Sequence, residues 1–148
     1  MILVTGGAGV MGSRLVKGLV AAGQSVRVLT LPGDPYVSRL DGVDCEVVYG
    51  DVSDADSLEG IFEGVTTVYH LASIIIAYDM DLLRRINVDG TRNMVEGSLA
   101  AQAEHFIYVS SASATWPDGS DPRDSTDTAL CVRIESTRAT IWAFGFRK

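Results

Sequence analysis

Ile2-Leu3-Val4-Thr5-Gly6-Gly7-Ala8-Gly9-Val10-Met11-Gly12 is the stretch that decides the fold of this chain. A short, continuous apolar run fits a strand buried on both faces. Gly7, Gly9 and Gly12 then spell G-x-G-x-x-G, while Gly6, Gly9 and Gly12, read from Thr5, spell T-G-x-x-G-x-x-G. A tight strand-to-helix turn needs backbone angles that glycine alone adopts cheaply. Bare backbone at Gly9 lets a pyrophosphate approach, and at Gly12 it lets the next helix pack close to the strand. The start of that helix adds unpaired N–H groups and a partial positive charge. Met11, Leu15, Val16, Leu19 and Val20 recur at helical spacing, and Gly23 supplies the stop. Strand, turn and helix together predict a dinucleotide cradle formed by Thr5, Gly6, Gly7, Gly9, Val10, Met11 and Gly12. The competing reading is a plain glycine-rich loop.

Downstream, strands and helices alternate. Strands are predicted at Val26 to Leu29, Cys45 to Tyr49, Thr67 to Leu71 and Phe106 to Val109. Between them fall a short helical piece around Val37 to Leu40, a helix from about Asp54 to Phe62 that Ser53 can cap, and a long helix from Asp79 to roughly Ala103. This alternation predicts an α/β, Rossmann-type doubly wound parallel sheet in the order 3-2-1-4-5. Ligand is expected outside the carboxyl ends of the strands, where the order reverses. From Thr115 the texture changes: Ala129 to Ile134 reads as a weak strand, and Ser136 to Lys148 has no convincing period. We therefore divide the chain into a dinucleotide-binding domain, 1–114, and an atypical tail, 115–148.

The 148 residues suit one domain, and the net charge of -7 opposes partners that are themselves polyanionic, nucleic acid and anionic membrane among them. Backbone N–H groups can hold phosphates without side-chain cations, so the charge does not oppose a dinucleotide. No leader precedes the first strand and no apolar run is long enough to span a bilayer, which predicts a cytoplasmic protein. Two cysteines and two histidines in no ligand spacing predict no metal site.

An acidic residue is expected roughly 20 residues after the glycines to bind a ribose 2′-hydroxyl. Asp34 lies just past the second strand and reads equally as a turn residue. No arginine occupies positions 30–33 to meet a 2′-phosphate, which tips the reading from NAD or NADP slightly towards NAD.

Five ordered motifs give the chain a resemblance to the extended short-chain dehydrogenase/reductases, the NAD-dependent epimerase/dehydratase family. They are the Thr5–Gly12 start, the pair Asp51-Val52, the strand end Tyr69-His70-Leu71-Ala72-Ser73, the helix motif Asn87-Val88-Asp89-Gly90-Thr91, and the strand Phe106 to Val109 followed by Ser110-Ser111-Ala112. The resemblance implies that Asp51, with Val52, contacts the adenine amine, and that the backbone of Leu71, Ala72 and Ser73 borders the cofactor. It implies that Asn87 belongs to the cofactor site and that Ser111 polarises a substrate carbonyl or hydroxyl. Read from the residues alone, Asp51 begins a cap region, Asn87 bonds backbone across its helix, and His70 is a satisfied core histidine to which we assign no chemistry.

The family's Tyr-x-x-x-Lys pair is missing: no tyrosine follows Tyr108, and Lys148 is the only lysine after Lys17. A serine hydroxyl cannot replace a tyrosinate whose pKa a lysine has lowered. The expectation is a chain that binds cofactor but is catalytically incomplete alone, taking a small-molecule hydroxyl or ketone only with a further C-terminal part. A fragment, a truncated or frame-altered product and a natural short protein all fit. The fifth strand, left without a covering helix, is a pairing liability that leaves a homo-oligomer open. The competing functions are a non-catalytic NAD(P) sensor or interaction module, and a self-associating structural remnant.

Overall fold

The computed structural model describes residues 1–75 and 78–110, and the backbone of residues 129–134 and 139–144. Five strands, β1 (Ile2–Thr5), β2 (Val26–Thr30), β3 (Glu46–Tyr49), β4 (Thr67–His70) and β5 (His105–Tyr108), form one parallel sheet in the order β3-β2-β1-β4-β5. The order reverses between β1 and β4, where Thr5 sits opposite His70. The predicted fold class and strand order are thus those observed.

Alternation along the strands divides the core in two. Leu3, Leu29, Val68 and Phe106 pack on one face with Val52, Leu58, Ile61, Val65 and Met94. Val4, Val26 and Val28 pack on the other with Val16 and Leu40. Leu3, Val4, Val28 and Val68 are fully buried, each contributing ~1.5–3 kcal/mol of transfer free energy. Helix α1 (Val10–Ala21) covers the second face. The first is covered through Met94 by α3 (Gly90–Ala100), which continues α2 (Met80–Arg84) through a π-helical turn at Arg85–Asp89.

Several expectations need correction. The helix from Asp54 to Phe62 is only a 3-10 turn at Ala55–Leu58, because Gly60 turns the chain at φ +76°. Its cap is Asp54, which accepts from the Asp56 N–H, and not Ser53, whose N–H donates to Asp51 Oδ1 at 2.8 Å. The long helix ends at Ala100, with Gln102 at φ 56°. Its glycines are packing sites: a Cβ on Gly90 would stand 2.8 Å from Val52 Cγ2, and one on Gly97 would enter the Phe62 ring. In the tail, β6 (Ala129–Ile134) lies where a weak strand was predicted. The stretch without apparent period holds β7 (Ala139–Phe144), antiparallel to β6, its Thr, Ile, Trp and Phe residues being strand formers. β7 runs beside β5, along the sheet edge that the sequence reading left bare.

Candidate functional site

The turn between β1 and α1 is held from three sides. Gly6 has φ +66°, and a Cβ there would lie 2.9 Å from the Ala72 backbone nitrogen. A Cβ on Gly7 would meet Val28 Cγ1 at 2.5 Å, so that position is what lets the turn seat on β2. A Cβ on Gly12 would enter the Gly6 carbonyl and lie 2.7 Å from Gly7 Cα. Gly12 therefore closes the turn on itself and only indirectly on the strand. Among the described residues, a Cβ on Gly9 would meet only the Gly6 carbonyl oxygen, at 3.1 Å.

Gly9 caps α1 without a side-chain acceptor, and no acidic residue stands in the first turn. The Gly9 N–H donates to Gly6 and the Ser13 N–H to Gly9, both at 3.0 Å. Among the described residues, the N–H groups of Val10, Met11 and Gly12 have no such partner. Uncapped N–H donors at the positive end of a helix form an anion-binding arrangement. Val10 and Met11 expose apolar side chains beside it.

Thr5 does not face the cleft. It is fully buried, and its hydroxyl accepts from the Leu71 and Ala72 N–H groups at 3.2 and 3.1 Å. The same hydroxyl lies 2.7 Å from Nδ1 of the buried His70, and the Nε2 of that ring lies 3.1 Å from the Thr91 hydroxyl. Thr91 spends its single proton on the Asn87 carbonyl, 2.7 Å away. Its oxygen must therefore accept from Nε2–H, and the bare Nδ1 accepts from Thr5. The neutral ring this requires matches the burial of His70, which pushes its pKa down to about 4.

Asn87 acts on the stretch after β4. Its Oδ1 accepts from the Ile74 N–H at 2.9 Å and its Nδ2 donates to the Ile74 carbonyl at 2.8 Å. Leu71 and Ala72 are half-buried, Ser73 is exposed, and beyond them Ile75, Tyr78 and Met80 are exposed apolar side chains.

On the other side of the reversal, Val52 is core and its carbonyl accepts from Asn93 at 2.9 Å, while Asp51 is half-buried beside it. Asp34 behaves as a turn residue: its carboxylate accepts from the Thr30 hydroxyl at 2.7 Å and from the Tyr36 N–H at 2.8 Å. The sequence reading missed Arg39. It stacks over the Tyr36 ring at 4.2 Å and donates to the Ala8 carbonyl at 3.1 Å, bringing a cation to the glycine turn. No fixed spacing announces it, because it arrives on a 3-10 turn (Val37–Leu40) after the searched positions. Ser111 lies outside the described residues.

This architecture has close relatives. Residues 3–132 match the 3-beta hydroxysteroid dehydrogenase/isomerase family. Sterol demethylase protein B of Methylococcus capsulatus is 36% identical over 114 residues, covering 76% of this chain and 34% of that protein. A 3 beta-hydroxysteroid dehydrogenase/Delta 5-->4-isomerase of Mycobacterium tuberculosis is 35% identical over 125 residues, covering 76% and 32%. Among solved structures, the Bordetella bronchiseptica enzyme WbmG in complex with NAD and UDP superimposes with a TM-score of 0.69 at 29% identity, covering 75% of this chain and 37% of that one. The chain thus spans about a third of the length of the curated relatives it matches. Its glycine turn, strand order and sequence agree: the chain belongs to the 3-beta hydroxysteroid dehydrogenase/isomerase family, within the short-chain dehydrogenase/reductases.

Proposed function

We propose that this chain is the NAD(P)-binding part of an oxidoreductase or epimerase that acts on a hydroxyl or ketone of a small molecule. The observation that carries the reading is the uncapped start of α1, whose free N–H groups follow the bare backbone of Gly9. The pyrophosphate sits there, Asp51 takes the adenine amine, and Leu71, Ala72 and Ser73 border the nicotinamide end, with Asn87 holding that border in place. Thr5 supports the cradle from below. NAD is the favoured form, in keeping with the NAD complex of WbmG. Arg39 favours a second reading, NADP, because it supplies the cation that a 2′-phosphate requires while Asp34 is engaged with its own turn.

Ser111 orients the substrate, and the proton relay comes from residues this chain does not carry, so the 148-residue protein binds cofactor with negligible turnover. The relatives are named for sterol and hydroxysteroid chemistry, and the exposed Ile75, Tyr78 and Met80 suit an apolar substrate. A non-catalytic NAD(P) sensor or interaction module is the alternative, favoured by an intact cradle without the tyrosine–lysine pair. We place the protein in the cytoplasm; no helix among the described residues is long and apolar enough to cross a membrane.

Calorimetric titration with NAD and with NADP tests the proposal. Saturable binding of one form is expected, and no heat from either removes it. Robust ketone reduction by this chain alone would overturn the claim of incompleteness.

A further inference from the structure

We propose that His70 is a positioning residue of the dinucleotide cradle: its Nδ1 holds the proton of the Thr5 hydroxyl, so that the hydroxyl oxygen is free to take both N–H groups that follow β4. The inference rests on the dinucleotide reading of the site.

The argument is one of proton count. Thr5 Oγ1 has one hydrogen to give and two lone pairs to receive with. The Ala72 N–H occupies one lone pair at 3.1 Å, and the Leu71 N–H, shared with the Thr5 carbonyl at 3.3 Å, occupies the other at 3.2 Å. The hydrogen must then go to an acceptor, and His70 Nδ1 at 2.7 Å is the one present. Nδ1 can accept only while Nε2 carries the ring proton, and Thr91 enforces that tautomer by committing its own hydrogen to Asn87. The chain Asn87–Thr91–His70–Thr5–Ala72 therefore has one consistent direction. It ends at the Ala72 nitrogen, against which Gly6 is packed too closely for any Cβ. The π-helical turn that carries Asn87 is thereby tied to the glycine turn, although the one follows β4 and the other follows β1. A donor in place of Nδ1 would meet an oxygen already saturated and push Thr5 off the two N–H groups. The β1 and β4 ends would then part where the dinucleotide must cross them.

Paired substitutions separate this from a merely structural histidine. His70→Asn keeps an acceptor near the Nδ1 position, whereas His70→Gln keeps a donor near Nε2 and loses the acceptor. Thr5→Ser keeps the hydroxyl, and Thr5→Val keeps only the shape. Titration of the full chain with NAD and NADP, with melting temperatures recorded in parallel, should show His70→Gln and Thr5→Val losing about tenfold or more in affinity. His70→Asn and Thr5→Ser should recover most of it even where their melting temperatures fall as far. Independently of any ligand, the 15N spectrum of His70 should report the neutral Nε2–H tautomer, and the Leu71 and Ala72 amides should exchange slowly in wild type; in Thr5→Val the Ala72 amide should exchange faster, and Leu71, which keeps the Thr5 carbonyl, should change less.

Affinity losses that simply follow melting temperature across all four variants would overturn the proposal, as would an Nδ1–H tautomer. If the His70 variants do not fold, the Thr5 pair decides alone. Wild type that binds neither dinucleotide, yet shows the tautomer and the slow amides, would sink the cofactor reading and leave only a structural network.

Discussion

The two walls of the cleft are built by different means. The wall between β1 and α1 is bare backbone packed on backbone at Gly6 and Gly12 and on the Val28 side chain at Gly7, where other atoms already occupy the space a Cβ would need. The wall after β4 is backbone held by side chains, with Thr5 gripping Leu71 and Ala72 and Asn87 gripping both polar groups of Ile74. The first wall is rigid by steric necessity, since Gly6, Gly7 and Gly12 leave no room for a Cβ. The second is rigid only while its hydrogen bonds hold, and beyond Ile74 it opens into the exposed Ile75 and Tyr78.

The contrast can be broken most severely at Gly12. Gly12→Val drives a branched side chain into the Gly6 carbonyl, and denaturant unfolding should show a loss of about 3 kcal/mol or more together with the loss of dinucleotide binding. An unchanged midpoint would mean the first wall has slack. Acid should strain the second wall almost as strongly. The His70 ring is charged in the unfolded chain below about pH 6.5, while burial keeps it neutral in the folded chain down to about 4. The unfolded state thus binds the extra proton throughout that window, and stability falls as the pH drops. The fall should total up to about 3 kcal/mol between those limits and disappear in His70→Asn. A slope that persists in His70→Asn would assign it to other groups.

Gly6→Ala should cost about 1–2 kcal/mol for the left-handed backbone alone, with a further cost from the approach to Ala72. Asn87→Ala removes two hydrogen bonds and should cost about 1–2 kcal/mol, with faster amide exchange confined to the stretch around Ile74. Equal acceleration at Gly9 would show that the walls are one unit. Tyr78→Ser should change stability by less than about 0.5 kcal/mol, since that ring is fully exposed.

The same contrast explains what the sequence could reveal. The glycine turn is legible because steric exclusion dictates a residue type at fixed spacing, and the strand order follows from alternating apolar runs. The hydrogen-bonded wall is not legible in that way. Thr5 and His70 are partners across 65 positions, and nothing local at His70 distinguishes a tautomer-locked ring from any other buried histidine. Asn87 carried a motif, but the motif did not say that its target is Ile74. Local signals also misled: Asp54 outcompetes Ser53 as a cap because its carboxylate reaches the Asp56 N–H, and Gly60 ends a helix that was expected to run to Phe62. Arg39 escaped because its position depends on the path of a loop.

The π-helical turn at Arg85–Asp89 has a consequence of its own. A single wide turn holds one residue more than an α-turn, which rotates everything upstream by about 100° relative to everything downstream. The helix thereby behaves as two segments with independent phase: Gly90 and Met94 answer to the buried face of the sheet, while Met80 to Arg84 present whichever residues the mouth of the cleft demands. Lineages could rewrite the upstream segment for new chemistry without disturbing the interior, and deleting one residue from the turn would weld the two segments back into a common register.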